Sequence, residues 1–387
     1  MKKLINISEK YLALEVELNK MFIGREDEIR AFILAHASMT HAVLLGDPGT
    51  GKSALARKFA EAFPSSDATI PFFEWSLNNF SKPADGFGPV NIEKLNKENV
   101  LENCIENFLP NARIGFLNEL SRGEAVMNSL LEIVNERTFS MNGKKINCPI
   151  EMVIADTNFK FSSNEFEAMK DRFLQWLNPV RIDEEDEDDL FKLWDTEDDV
   201  PIVTKISQDE LKVVRAEVKA VEVTVETKQA FRSILIELKK AQEIKVSNRR
   251  SKRIIRSLVK SNAWLNGRSV TLPEDLECVW TALWEDETQI AKVKSAIRKF
   301  VNPQADEIQG VIDNTLVTMQ GFGENPTEFP ADKVSKILQG YRKQLVKLTK
   351  NLSPKNAKEF AKADFVVDKF QETISNIISV KTKGNIL

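Results

Sequence analysis

Eight consecutive residues, Gly46-Asp47-Pro48-Gly49-Thr50-Gly51-Lys52-Ser53, have types and a spacing suited to holding a polyphosphate. Glycines let successive backbone N–H groups turn inward around phosphate oxygens with no Cβ in the way. A helix starting near Lys52 would present its positive end to the same charge. Lys52 would reach the β- and γ-phosphates, and the Ser53 hydroxyl would ligate Mg²⁺, with Ala54 following in the first helical turn. The flanks fit this reading. Ala42 to Leu45 is a short apolar strand candidate, and Leu55, Phe59 and Phe63 recur at helical spacing. Gly-x4-Gly-Lys-Ser between a strand and a helix is the P-loop pattern. The expected ligands are therefore ATP and Mg²⁺.

A second stretch, "RIGFLNEL" (Arg113 to Leu120), completes the chemistry. Ile114 to Leu117 is apolar throughout, as a strand covered on both faces must be. Its carboxyl end would deliver Asn118 and Glu119 to the mouth of a parallel sheet, where ligands bind. Glu119 is placed to orient and deprotonate an attacking water, and Asn118 to steady the magnesium shell. An aspartate would be expected at position 118. Asparagine keeps the size and a carbonyl acceptor but loses the charge. Mg²⁺ keeps several waters and phosphate oxygens, so the loss weakens its site without abolishing it. Three readings follow: a slow ATPase, a binding-only scaffold, or a substitution introduced to trap nucleotide.

These residues need a frame. Strand candidates near Ala42, Phe72, Ile114, Met152 and Phe173, separated by helical segments, predict an αβα core with a parallel sheet over residues 21–182. Residues 1–20 read as an N-terminal helix. The acidic run from Asp183 reads as a solvated connector over 183–204. Residues 205–285 read as an all-α lid. One apolar stripe there holds Ala230, Phe231, Ile234, Leu235 and Leu238, and another holds Ile254, Ile255, Leu258 and Val259. "PEDL" at Pro273 opens a third helix carrying Val279, Trp280, Leu283 and Trp284. Residues 286–387 form a helical C-terminal extension, read as an antiparallel hairpin packed on the lid or offered to a partner. "TFSMNGKKIN" holds an Asn142-Gly143 turn between extended residues, a hairpin signal.

Composition narrows the class. Among 387 residues, 54 basic against 58 acidic side chains give net charge -4, without the basic footprint of a nucleic-acid binder. No apolar run approaches the roughly 20 residues of a membrane span, and no signal peptide is read at the start. Three dispersed cysteines and two histidines predict reduced thiols, no zinc, and a cytoplasmic setting.

Taken together, "GDPGTGKS", "FLNELSRGEAVMNSLLEIVNERTFSMNG", "ADTN" and "DRF" resemble the MoxR family of AAA+ ATPases. "FSKPADGFGPVNI", "VSNRRSKRIIRSL" and "NGRSVTLPEDL" point to its RavA-type branch as the most similar. The resemblance covers about residues 20 to 285. It implies base contacts from Ile23 and Gly24 in "FIGREDEIR", a sensor 1 role for Asn158, and an arginine finger acting in trans at Arg172. It also implies a sensor 2 arginine at Arg249 or Arg250, with a slight preference for Arg249. The residues by themselves allow plainer roles: a turn cap at Asn158, a surface ion pair at Arg172, and a solvated helix face at "NRRSKR". The hairpin around Gly143 resembles the family's insert before sensor 1, which faces the ring interior, and the segment Phe87 to Asn99 resembles the companion insert near the end of the second strand.

The resemblance implies a homo-hexameric ring that uses ATP to remodel or mature a protein substrate or adaptor, with a von Willebrand factor A domain protein as the family's usual companion. Two other functions stay open: a nucleotide-dependent scaffold with little hydrolysis, and a DNA-processing motor, which the acidic balance disfavours.

Overall fold

The computed structural model describes all residues except 1–5, 48, 124–125, 142, 159–168, 180–199, 243, 325–329, 354–355 and 385–387. The chain divides into two compact units, Met1–Ile290 and Ala291–Leu387.

The first unit opens with helices α1 (Ile7–Met21) and α2 (Glu26–Ser38), and α3 (Lys52–Ala60) follows β1 (Ala42–Leu45) directly. Four further strands join β1 in one sheet: β2 (Ile70–Ser76), β3 (Ala112–Asn118), β6 (Met152–Thr157) and β7 (Gln175–Leu177). The order is β2-β3-β6-β1-β7, parallel at every pairing. Every residue of β1 and β6 is buried, as are the first six of β3. That explains why these strands read as continuous apolar runs without alternation. The register pairs Leu45 with Thr157, Leu117 with Ala155, and Ser76 with Asn118. The carboxyl ends of β1, β6 and β3 therefore lie side by side, and every predicted catalytic group of the core that is placed on a strand end faces this one edge.

Between β2 and β3 the chain forms two short helices, α4 (Pro83–Phe87) and α5 (Ile92–Glu98). After α6 (Met127–Glu136), β4 (Thr138–Met141) and β5 (Lys144–Asn147) pair antiparallel, with Gly143 at φ 72° in the turn. The hairpin read from the sequence is present, although Asn142 itself lies outside the described residues.

Most of the acidic run also lies outside them. Where description resumes, the chain is tied to the core: the Glu17 carboxylate accepts from the Val203 and Thr204 N–H groups at 2.9 and 3.2 Å, and Ile206 N–H donates to the Ala62 carbonyl. The helical lid follows as α7 (Gln208–Ala220), α8 (Val225–Gln242), α9 (Asn248–Ile254) and α10 (Lys260–Leu265). Ser207 and Glu210 form a reciprocal capping box that starts α7. The predicted stripe of α8 buries Phe231, Ile234 and Leu238, and the next buries Ile254, Leu258 and Val259.

Two expectations shift. The last strand begins at Gln175, past Phe173, because Phe173 N–H still closes a helical turn on the Met169 carbonyl. Residues Pro273–Ala282 wind as 3₁₀ turns where an α-helix was expected. Here Thr281 Oγ1 and Cys278 Sγ bond back to carbonyls three residues earlier, contacts that favour the tighter winding.

The second unit holds α11 (Ile290–Val301) from its second residue on, then α12 (Pro303–Glu324), α13 (Ala331–Thr349) and α14 (Ala357–Gly384). The expected hairpin, α13 with α14, gains a third partner in α12. Ile308, Val311 and Ile312 pack with Leu345, Ala363 and Val367, whereas Met319 and Phe322 lie against Val334, Leu338 and Ile374. Rising along α12, the contacts descend α13 and rise along α14, so the three helices run up, down and up.

Candidate functional site: a phosphate cup at the end of the parallel sheet

The loop after β1 forms the cup. Gly49 and Gly51 sit at φ +86° and +80°, and nothing lies within 4 Å of where a Cβ would project. Only glycine takes this backbone without strain, and the open space is what a phosphate group requires. Gly46 N–H donates to the Thr157 carbonyl, which stitches the loop's start to β6. Thr50 Oγ1 donates to the Asp47 carbonyl at 3.2 Å. Asp47, Gly49, Gly51 and Ala54 are exposed, and Gly46, Thr50 and Ser53 are partly buried; Pro48 lies outside the described residues.

Lys52 opens α3 and is only 5% exposed. Its Nζ donates to the carbonyls of Gly46 (2.6 Å) and Asp47 (3.0 Å) and to Asn158 Oδ1 (3.1 Å). Asn158, just past β6, turns its Nδ2 to Glu119 Oε1 at 3.1 Å. Glu119 Oε2 lies 2.6 Å from Arg122 Nε. The structure thus brings three sequence-predicted residues, Lys52, Asn158 and Glu119, into one chain of contacts. Glu119 is held in a left-handed backbone (φ 58°, ψ 44°). Such a conformation costs about 1–3 kcal/mol for a residue with a side chain and persists where its surroundings impose it.

Asn118 stands apart from this chain: its Nδ2 donates sideways to Ser76 Oγ on β2 at 3.2 Å. Sequence reasoning missed the carboxylate that does join. Asp156 Oδ1 accepts from Glu119 N–H at 2.9 Å, and Oδ2 lies 3.7 Å from Lys52 Nζ. Burial pushes the Asp156 carboxyl above its ordinary value. The Glu119 N–H bond and the Lys52 charge oppose that shift, and the Glu119 charge adds to it. A usable signal was present, since Asp156 and Asn158 are two apart and so share one side of the strand.

Ile23 and Gly24 are partly buried ahead of α2. Arg25, also missed, links them to the cup: Nη1 donates to the Gly24 carbonyl (2.7 Å) and Nε to the Thr50 carbonyl (3.2 Å). In the lid, Arg250 is 6% exposed and its guanidinium is taken up by the carbonyls of Ala282, Leu174 and Lys170. Arg249, its neighbour, is exposed. Arg253 bonds the Asp171 and Arg172 carbonyls. Arg250 and Arg253 therefore fasten the lid to the segment that carries Arg172, a link between two predicted sites that neither motif revealed.

The donor set fits a nucleotide with magnesium. Among the described residues no group of three or more His, Cys, Asp or Glu side chains forms a metal cage. Mg²⁺ takes one or two protein oxygens and completes its shell with phosphates and water. Ser53 lies in the first turn after the cup and Asp156 faces Lys52, whereas Asn118 is directed to Ser76. No helix among the described residues is long and apolar enough to cross a membrane.

Comparison with known proteins agrees with this geometry. Residues 10–217 match the family described as the MoxR domain in the MoxR-vWA-beta-propeller ternary systems, and residues 224–297 match an AAA lid domain. An uncharacterized protein of Methanocaldococcus jannaschii is 31% identical over 309 residues, covering 78% of this chain and 77% of its own. Protein MoxR of Paracoccus denitrificans is 27% identical over 180 residues, 44% of this chain and 50% of its own. The crystal structure of a "putative ATPase" from Cytophaga hutchinsonii shares the fold at a TM-score of 0.57 and 17% identity, covering 76% of this chain and 96% of its own. With a P-loop on a parallel sheet, an AAA lid behind it and a family match across more than half its length, the chain belongs to the MoxR family of AAA+ ATPases.

Proposed function

We propose that this protein is a ring-forming ATPase that uses ATP binding and hydrolysis to remodel or mature protein partners. The observation that carries the reading is the linked set Lys52–Asn158–Glu119 at the ends of β1, β6 and β3. It joins a phosphate-binding lysine to a water-activating carboxylate through one amide. In this reading the backbone of residues 46–53 cradles the phosphates, and Lys52 neutralises the β- and γ-oxygens. Glu119 orients and deprotonates the attacking water, while Asn158 holds Glu119 and Lys52 in register. Magnesium, held beside Ser53 with Asn118 nearby, would neutralise phosphate charge. Ile23 and Gly24 would lie against the base. Arg172 would act on the neighbouring subunit's nucleotide, and Arg249, whose guanidinium is exposed where that of Arg250 is engaged, would be the lid arginine that senses it.

An arginine acting in trans completes a site only between subunits, so ATP should favour a closed ring, a hexamer, built on heterologous interfaces. The family description names von Willebrand factor A and beta-propeller companions, so a protein with a von Willebrand factor A domain is the proposed partner.

The scaffold alternative draws on Glu119 itself. Asn158 and Arg122 engage both of its oxygens, so turnover requires one of those contacts to open. Light scattering with ATP and magnesium, run beside steady-state turnover, tests the proposal. A mass several times 43.9 kDa together with turnover supports it. Assembly with no turnover favours the scaffold, and a monomer with ATP bound contradicts the ring.

A further inference from the structure

The asparagine at position 118 raises the question of where the site's magnesium-facing charge resides. We propose that Asp156, one strand closer to the P-loop, supplies the carboxylate of the phosphate–magnesium site that Asn118 leaves out. This rests on the nucleotide-site reading above and assigns one of its residues.

Position comes first. β6 lies between β1 and β3, and Asp156 pairs in register with Leu44 of the strand that leads into the phosphate cup. Asn118 pairs outward, with Ser76 of β2, and its amide bonds that serine. Of the two, Asp156 is the side chain that faces Lys52.

Contacts come second. Asp156 is only 5% exposed, and a buried carboxylate is costly unless charge or hydrogen bonds compensate it. Oδ1 has the Glu119 N–H at 2.9 Å. Oδ2 is 3.7 Å from Lys52 Nζ, well beyond the 2.7–2.9 Å of a charged hydrogen bond. That oxygen shares the Lys52 ammonium with three shorter contacts of the lysine, to the Gly46 and Asp47 carbonyls and Asn158 Oδ1. The bond through Oδ1 also fixes Glu119 in its left-handed backbone, so a single side chain addresses both the metal side and the base.

The exchange of residue types is consistent with one relocated charge. The Glu119 charge already works against ionisation of Asp156. An aspartate at position 118, adjoining Glu119 in sequence, would add a third carboxylate to these strand ends, and like charges disfavour one another's ionised forms. Asparagine at 118 with aspartate at 156 avoids this.

ADP affinity measured by calorimetry, with and without magnesium, reads the metal contribution without requiring turnover. Asp156→Asn is expected to lower the magnesium-dependent gain in ADP affinity by about tenfold, the gain being the ratio of affinities with and without magnesium in the same variant, so that a change in the cup itself cancels. Adding Asn118→Asp to that variant is expected to restore most of the gain, a rescue that a purely structural role would not give. Asn118→Asp alone should change the gain by less than about twofold, since the carboxylate is already supplied, and this arm stands even where Asp156→Asn fails to fold. A full magnesium gain in Asp156→Asn overturns the role of Asp156 alone. So does absence of rescue in the double variant, or a tenfold increase from Asn118→Asp by itself. Wild-type protein that binds no ADP overturns the nucleotide reading, and this role with it.

Discussion

Strands β3 and β6 carry a charged network at each end, and the two networks differ in one respect. At the amino ends, Arg113 makes a two-pronged pair with Glu151 (Nε to Oε1 2.9 Å, Nη2 to Oε2 3.0 Å), and its remaining nitrogen reaches the Phe63 and Pro64 carbonyls. His36 Nε2 meets Glu151 Oε2 at 3.1 Å, and the Tyr11 hydroxyl meets His36 Nδ1 at 2.9 Å. Arg113 and His36 have no exposure at all. At the carboxyl ends, Lys52, Asn158, Glu119 and Asp156 use similar groups, but beside an open glycine cup and with a loose 3.7 Å ion pair. The first network joins α1, α2 and the sheet and closes on the chain's own elements, with Arg215 as its one loose member, 3.9 Å from Glu151. The second leaves capacity for a ligand. What separates the two ends is the open glycine cup beside the second, since loose ion pairs occur at both.

The largest expected effect breaks the closed end. Arg113→Ala strands Glu151 beside His36 in a buried setting, and removing one member of such a pair costs about 3–5 kcal/mol. Urea unfolding should show a lowered midpoint, and Lys52→Ala should lower it less, because Asp156 keeps its bond from the Glu119 N–H. Equal effects at both ends would remove the distinction.

At the open end, Glu119→Gln should lower ATP turnover by about 10²–10³-fold while ADP affinity holds within about threefold, because it deletes the base and no phosphate contact. A matching loss of affinity would place Glu119 among the phosphate contacts.

A smaller effect concerns pH and the closed, structural histidines. His41 is pushed down to about 3 from an ordinary 6.5, by burial first and then by the Arg137 charge. Its neutral ring is fully used: Nε2 bonds the Val134 carbonyl at 2.8 Å, and Nδ1 accepts from Val153 N–H at 2.9 Å. His36 is likewise lowered, by burial foremost. For Glu151, burial alone would raise the carboxyl, but His36 and Arg113 outweigh it and hold it below the usual range. With folded values below unfolded ones, these groups stabilise the fold above their unfolded values and lose that contribution as pH falls. Between pH 6.5 and about 3 the unfolded chain binds more protons at His41, so stability should fall by about 1.4 kcal/mol per pH unit from that residue. Denaturant melts from pH 8 to 4 should show the slope in wild type and a shallower one in His41→Gln. Identical slopes would discard the assignment.

The sequence exposed what is local. The P-loop, the apolar β3 run and the Gly143 turn are each written in a few adjacent residues, and the structure places each in the expected element. The partners were hidden because the fold brings them together across long separations. Lys52 meets Asn158 over 106 positions, and Arg250 meets Lys170 over 80. Asp156 was overlooked for a related reason. The motif "FLNEL" lies on β3, while the charge sits on the neighbouring strand of the sheet. Strand β7 lay two residues beyond its apolar signal because a helical turn at Met169–Phe173 outcompeted extension there.

The central claim, that the open network is a nucleotide site, meets its most direct test in calorimetric titration of ADP with saturating magnesium into wild type and Lys52→Ala. The account predicts clear binding by wild type and a loss of at least about 100-fold in the variant, roughly 2.7 kcal/mol, with folding retained. Equal affinity in the two proteins would contradict it.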